Sequence, residues 1–155
     1  MENKKIIVCD DVECTYSEDG GSFEGNIWWM CWPVHLYLHC NPDDAKERLI
    51  LKLAFEAVYR ENEAWTKKAR TYACKRFLPY FYSVAGPGSE KVLTREFFYH
   101  SLMPDTVELW IDGRISISFG EIRIGRRPSY LDVIGTIHDG FNQLQDNGED
   151  VPIVD

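Results

Sequence analysis

The sequence contains no apolar run near the roughly 18 residues that a membrane span needs, and its opening, Met1-Glu2-Asn3-Lys4-Lys5, has no signal-peptide pattern. Basic residues are in deficit: 17 Lys and Arg stand against 25 Asp and Glu, a formal net charge of −8. Binding to free nucleic acid needs the opposite electrostatic footprint. The five cysteines, Cys9, Cys14, Cys31, Cys40 and Cys74, form no CxxC or CxxH pair, so zinc-finger spacing is absent. Their odd number in a chain without a signal peptide suits reduced thiols, which pack as small apolar side chains. From Cys9 to Cys14 soft thiolates and hard carboxylates lie close in sequence, a mixture that selects no class of metal. GxSxG, HExxH, P-loop and GxGxxG patterns are all missing. Gly113, Gly120, Gly125 and Gly135 are too scattered to cradle a phosphate, and no internal repeat is present. These absences lead us to expect a soluble cytoplasmic protein without a cofactor or metal, and not an enzyme.

What is present is one domain's worth of chain. At 155 residues, 45% hydrophobic and 27% charged, it lies in the ordinary globular range and buries roughly 68–70% of its unfolded surface. Residues 3–40 read as β structure, with strands at Lys5–Asp10, Val12–Tyr16, Ser22–Met30 and Val34–Cys40. The Asp19-Gly20-Gly21 turn and a Trp32-Pro33 corner punctuate them. Period-two alternation puts Val34, Leu36, Leu38 and Cys40 on one side, and His35, Tyr37 and His39 on the other. The two imidazoles then stand about 13 Å apart, too far to share an ion.

Asn41-Pro42-Asp43-Asp44 is a helix-start signal, with a cap, a proline at the first helical position and acids against the dipole. A helix is expected from Pro42. Leu49, Leu53 and Ala57, with Ile50, Ala54 and Val58, form its wide apolar face. The pattern weakens at Arg60-Glu61-Asn62-Glu63, then resumes through Trp65, Ala69, Tyr72, Ala73 and Phe77 until Pro79 forbids continuation. This gives two helices, or one long helix broken near Asn62. Thr94 caps a short helix through Leu102, stopped by Pro104.

The chain then returns to β structure. A three-residue Ile111-Asp112-Gly113 loop pairs Leu109 with Ile115 and Val107 with Ile117. A two-residue loop would set the apolar face beside Arg114 and the serines, so the longer loop is preferred. Gly120 reads as a bulge or strand end and Glu121–Gly125 as a short continuation. Residues 130–144 fit either helical spacing or a hairpin through Asp139-Gly140. Their β-branched content favours the hairpin. The tail, residues 145–155, is acidic and expected to be frayed. The fold class is therefore α+β, a single domain over residues 1–155 with N-terminal and C-terminal antiparallel β segments flanking a central pair of helices.

Several of these segments resemble the bacterial "domain of unknown function twenty-two sixty-two" family. They are Phe23-Glu24-Gly25-Asn26-Ile27-Trp28-Trp29, Val34-His35-Leu36-Tyr37-Leu38, Trp65-Thr66-Lys67-Lys68-Ala69-Arg70, Leu93-Thr94-Arg95-Glu96-Phe97-Phe98 and Asp132 through Gly140. The resemblance spans roughly residues 23–140. It departs at Phe119-Gly120-Glu121 and Gly125–Pro128, where the aromatic-Gly-His step of the family has no His. It implies helices packed on a sheet and brings no established activity. Small acidic proteins of this kind are also similar to the immunity proteins encoded beside bacterial contact-dependent toxins.

The first functional expectation is accordingly a protein-binding module, an immunity or antitoxin-like protein that occludes a basic toxin domain. Acidic surface speeds encounter with a basic partner and aromatic anchors hold it. Trp28, Trp29 and Trp32 are the candidate anchors, and Asp10, Asp11 and Glu13 the charge complement. The alternative is a structural or regulatory homo-oligomer using an open sheet edge or the tryptophan cluster. A hydrolase-like enzyme would need Cys14 or Cys31 as nucleophile beside His35 or His39 as base. Arg123, Arg126 and Arg127 form a basic cluster that could meet a phosphate or an acidic partner.

Overall fold

Four strands open the chain as an antiparallel meander: β1 Lys5–Val8, β2 Val12–Ser17, β3 Ser22–Trp29 and β4 Trp32–His39. Their bounds follow the period-two alternation, and the turns fall where Cys9, Asp10 and Met30 take positive φ. The β3–β4 corner is thus Met30-Cys31, with Trp29 paired to Trp32, rather than Trp32-Pro33. This structure, a computed structural model, describes residues 4–124 and 127–154, the side chain of Arg127 excepted.

Helix α1 spans Ala45–Arg60 and starts three residues later than the Pro42 signal suggests. The Asn41 side chain accepts from Asp43 N, making a turn, and Asp44 becomes the cap by accepting from Lys46 N and Glu47 N. The break near Asn62 is real: Glu61 separates α1 from α2, Asn62–Ala85. Pro79 does not end α2 but sits exposed inside it. Continuing the helix keeps Phe77 stacked on both Phe98 and Phe81, and lets the Tyr82 hydroxyl donate to Leu93 O at 2.6 Å. This packing outweighs the local proline penalty of about 3 kcal/mol. Helices α3, Ser89–Val92, and α4, Arg95–Ser101, follow. Thr94 caps α4 as expected, accepting from Phe97 N.

The C-terminal strands are β5 Pro104–Trp110, β6 Arg114–Phe119, β9 Leu131–Thr136, β10 Gly140–Asp146 and β11 Glu149–Asp150, with β7 Ile122–Ile124 and β8 Arg127–Ser129 forming a separate ribbon. Leu109 pairs with Ile115 and Val107 with Ile117, the register of the three-residue loop. Residues 131–146 are a hairpin. The fold is α+β, but the two β segments do not flank the helices as separate blocks. They fuse into one nine-stranded sheet, β1-β2-β3-β4-β5-β6-β9-β10-β11, joined at its middle by a parallel β4–β5 pair. The helical segment is the crossover that parallel pairing demands.

One apolar row runs across the sheet. Ile6 pairs with Cys14, which lies beside Gly25, and Gly25 pairs with Leu36; Val107, Ile117, Val133 and Leu144 continue it. Helix α1 lies against β1 and β5, and α2 against β9 and β10, closing the core over this face. Helix α1 buries Leu51, Phe55 and Val58. At 100° per residue the expected Leu49, Leu53 and Ala57 stripe lies nearly opposite, and it is exposed. The helix is apolar on two sides, and the sheet takes the one carrying Phe55.

The tail is a correction as well. Asn147 and Gly148, both at positive φ, turn the chain back so that Asp146 pairs with Glu149, and Val151 is buried. Arg76 clamps Val151 O at 2.9 Å. The missed signal is the Asn-Gly dipeptide, a strong short-range hairpin cue. No helix among the described residues is long and apolar enough to cross a membrane.

Candidate functional site

Because strand residues alternate sides, the face opposite the helices follows from the same register. One outward row reads Lys5, Thr15, Glu24, Tyr37, Glu108, Ser116, Ile134 and Gln143. The next reads Asn26, His35, Thr106, Ser118, Asp132, Gln145 and Asp150. Glu13 and Trp28 belong to this face, Trp28 at 64% exposure. Among the described residues, the cations at outward positions of the nine strands are Lys5 and Arg114. Both are engaged: Lys5 pairs with Glu13, and Arg114 pairs with Asp112 and lies 5.0 Å over the Trp110 ring. The helices carry the opposite charge, including Lys46, Arg48, Lys52, Arg60, Lys67, Lys68 and Lys75. Charge is therefore segregated: acids outnumber cations at the outward positions of the open sheet, and cations outnumber acids on α1 and α2.

The centre of the open face is structured. His39 stacks on Trp110 with ring centroids 4.6 Å apart and an interplanar angle of 7°, while its Nε2 lies 2.8 Å from Glu108 Oε2. Burial between the strands pushes the Asp132 carboxyl pKa up; the Ser118 hydroxyl bond pulls the other way, and the nearby Glu108 charge adds to the rise. Proximity of two carboxylates with few cations gives this centre a negative potential. Among the described residues no group of three or more His, Cys, Asp or Glu is placed to hold a metal.

The six residues singled out in the sequence do not form one surface. Trp28 and Glu13 lie on the open face. Asp10 and Asp11 sit in the β1–β2 turn at the Trp28 end, where Tyr59 donates its hydroxyl to Trp28 O at 2.7 Å and Asp11 contributes to raising the tyrosine's pKa, behind burial and Cys9. Trp29 points inward, fully buried, its indole donating to Thr66 Oγ1 at 2.7 Å. It is a core residue and no anchor. Trp32 shares the inner side, half-buried beneath the Arg70 guanidinium at 5.7 Å. Sequence reading missed Glu24, Glu108, Trp110 and Asp132, because only the strand order brings the first three beside Tyr37 and His39 and sets Asp132 near Glu108.

The cysteine–histidine pairing is not assembled through Cys14. That thiol is buried on the inner face, with burial first and Cys9 second pushing its pKa up to about 11, whereas His35 and His39 face outward. Cys31 is exposed in the β3–β4 turn. Of the arginine cluster, Arg123 pairs with Glu121 at 3.2 Å; Arg126 and the Arg127 side chain lie outside the described residues. Both sheet edges are blunted. At β1, Lys52 Nζ donates to Ile7 O, and β11 is a two-residue acidic strand, the devices that discourage edge pairing.

Fold and face together define a class: an α+β protein with one sheet face sealed by helices and the other open, acidic and aromatic. Residues 12–123 match the family described as an uncharacterized protein conserved in bacteria (DUF2262), and the chain belongs to that family. Neither the curated proteins nor the solved structures contain a match.

Proposed function

We propose that the protein works by binding a basic protein surface through the open sheet face, as an immunity or antitoxin-like protein occluding a basic toxin domain would. The observation that carries this reading is the segregation of charge. Glu13, Glu24, Glu108, Asp132 and Asp150 are spread over an uncovered sheet whose outward cations are already engaged. Such a field accelerates encounter, and Trp28, Tyr37 and Trp110 supply the amphipathic area on which interface hot spots are built. The test is co-expression with any toxin encoded next to the gene, reading growth and then affinity at low and high salt. Glu24→Lys/Tyr37→Ala is expected to abolish protection and weaken binding by about 100-fold, or roughly 2.8 kcal/mol, with most of the charge effect on the association rate. Protection undiminished in this variant would remove the open face from the binding surface.

A second reading, homo-oligomerisation, is favoured by the exposed stripe on α1, where Leu49, Ile50 and Leu53 are 54%, 46% and 55% exposed. Apolar residues clustered on one helix face mark interaction surfaces. If α1 is the dimer seam, light scattering of the native chain gives twice the monomer mass and Leu53→Lys gives the monomer. A native chain that is monomeric at 100 µM, a concentration chosen for the test, disposes of this reading.

A further inference from the structure

One concave feature lies away from both surfaces. Between α2 and the β9–β10 turn runs a groove of about 690 Å³, within the range that holds small organic ligands. Its two walls differ chemically. The turn supplies Ile137 and Phe141, both half-buried, and Phe141 meets the edge of buried Trp65 at 5.6 Å. The helix wall supplies Lys67, Lys68 and Lys75, all exposed. None of the ion pairs among the described residues uses these three ammonium groups. Lys68 lies 5.0 Å over the Trp65 ring. Eight residues of helix separate Lys67 from Lys75, so the positive wall is about 12 Å long, longer than a single phosphate or sulfate.

The carboxylate in the lining is Asp139, in the turn opposite the lysines. Its backbone N–H donates to Thr136 Oγ1 at 2.9 Å, and its carboxylate accepts from that hydroxyl at 3.4 Å. His138 lies beside it in the lining. Within the basic helical side of the chain, this is where unpaired ammonium groups stand across a concave space from an apolar wall.

We infer that this groove binds an organic anion of nucleotide size, its flat apolar part against Ile137 and Phe141 and more than one negative charge along Lys67, Lys68 and Lys75. A single small anion would leave the apolar wall uncovered, and a neutral apolar ligand would desolvate ammonium groups without partners. The groove is separate from the open sheet face, so the inference stands apart from the protein-binding reading.

The test titrates the full chain with anilinonaphthalene sulfonate, an aromatic anion whose fluorescence rises on leaving water, and then displaces it with ATP or with inorganic phosphate. Saturable binding at one site is expected, displaced by ATP at a concentration at which phosphate displaces little. Lys67→Glu/Lys75→Glu should weaken both ligands by about tenfold or more, since charge-assisted contacts are lost. Lys91→Glu, an exposed charge reversal on α3 outside the groove, should leave both unchanged. Unaltered melting temperatures confirm that each variant is folded, since all three positions are exposed.

Dye binding that survives the charge reversal would assign the signal to general apolar surface and overturn the proposal. Equal displacement by phosphate would reduce the site to a plain anion site, and absence of saturable binding would end it. Self-association of the native chain that the same charge reversal abolishes would give the groove to a second copy instead. Protection from a toxin reports on the other face, so either proposal can fail without the other.

Discussion

Trp29→Ala is expected to lower the melting temperature by on the order of 10 °C, while Trp28→Ala, one residue away, leaves it nearly unchanged. Removing a large aromatic from a core costs about 3–5 kcal/mol, and for a chain of this size each kcal/mol is roughly 2–4 °C. Trp29 has no solvent-exposed surface, meets Tyr59 edge-on at 6.1 Å, and holds Thr66 on α2 through its indole N–H. Its loss therefore leaves a cavity and also unties the sheet from the second helix. The Thr66 hydroxyl keeps its bond to Asn62 O, so the penalty comes mainly from the cavity. Trp28 is 64% exposed and makes its described hydrogen bond through its backbone carbonyl, so its side chain can be removed for a few tenths of a kcal/mol. Differential scanning calorimetry on the two variants measures the contrast. Equal melting temperatures would falsify the inward placement of Trp29.

The second large effect is expected at Gly135. It pairs with Phe141 in the β9–β10 hairpin, and a Cβ there would stand 2.0 Å from Gly140 O and 2.6 Å from Phe141 Cα. Both are backbone atoms, which cannot swing aside as a side chain does. Gly135→Ala must therefore part the hairpin at its turn, disturbing Phe141 and, through the Val133–Leu144 pair, the end of the core row. Overpacking typically costs about 1–3 kcal/mol, and a main-chain clash belongs at or above the top of that range. Amide exchange by NMR should show accelerated exchange in Leu131–Asp146, with the β1–β4 meander protected as before. A melting temperature within a degree of the native one would mean that the hairpin yields freely.

Much of the local structure is legible in the sequence. The Val34–Leu38 alternation gives the inward and outward sides of β4, the three-residue Ile111-Asp112-Gly113 loop gives the β5–β6 register, and Thr94 marks the start of α4. The errors have physical causes. Helix α1 is apolar on two sides, so periodicity alone could not say which side the sheet takes; of the expected face Val58 is buried and Ala54 packs on the core, while Leu49, Ile50 and Leu53 are exposed. Pro79 is a local breaker overruled by Phe77, Phe81 and Tyr82. The open face is a different kind of failure. Glu24, Tyr37, Glu108 and Asp132 lie on four strands distributed over most of the chain, and their adjacency depends on the parallel β4–β5 pair. No spacing rule within a segment encodes it. The tryptophan cluster misled because neighbouring strand residues point to opposite sides, which divides Trp28 from Trp29.

That parallel pair also sets a schedule for the protein as it is made. The β1–β4 meander leaves the ribosome complete, yet the outer flank of β4 has no partner until β5 has been translated, after the whole helical segment. At roughly 5–20 residues per second the wait is several seconds, during which the backbone amides and carbonyls of Val34–His39 on that flank stay open to other chains. Helices α1 and α2 emerge in the interval and can settle over Leu36 and Leu38, shielding the apolar side but not the ladder. The newborn chain is most vulnerable to intermolecular strand pairing in that window, and a chaperone that holds extended segments would find its substrate there.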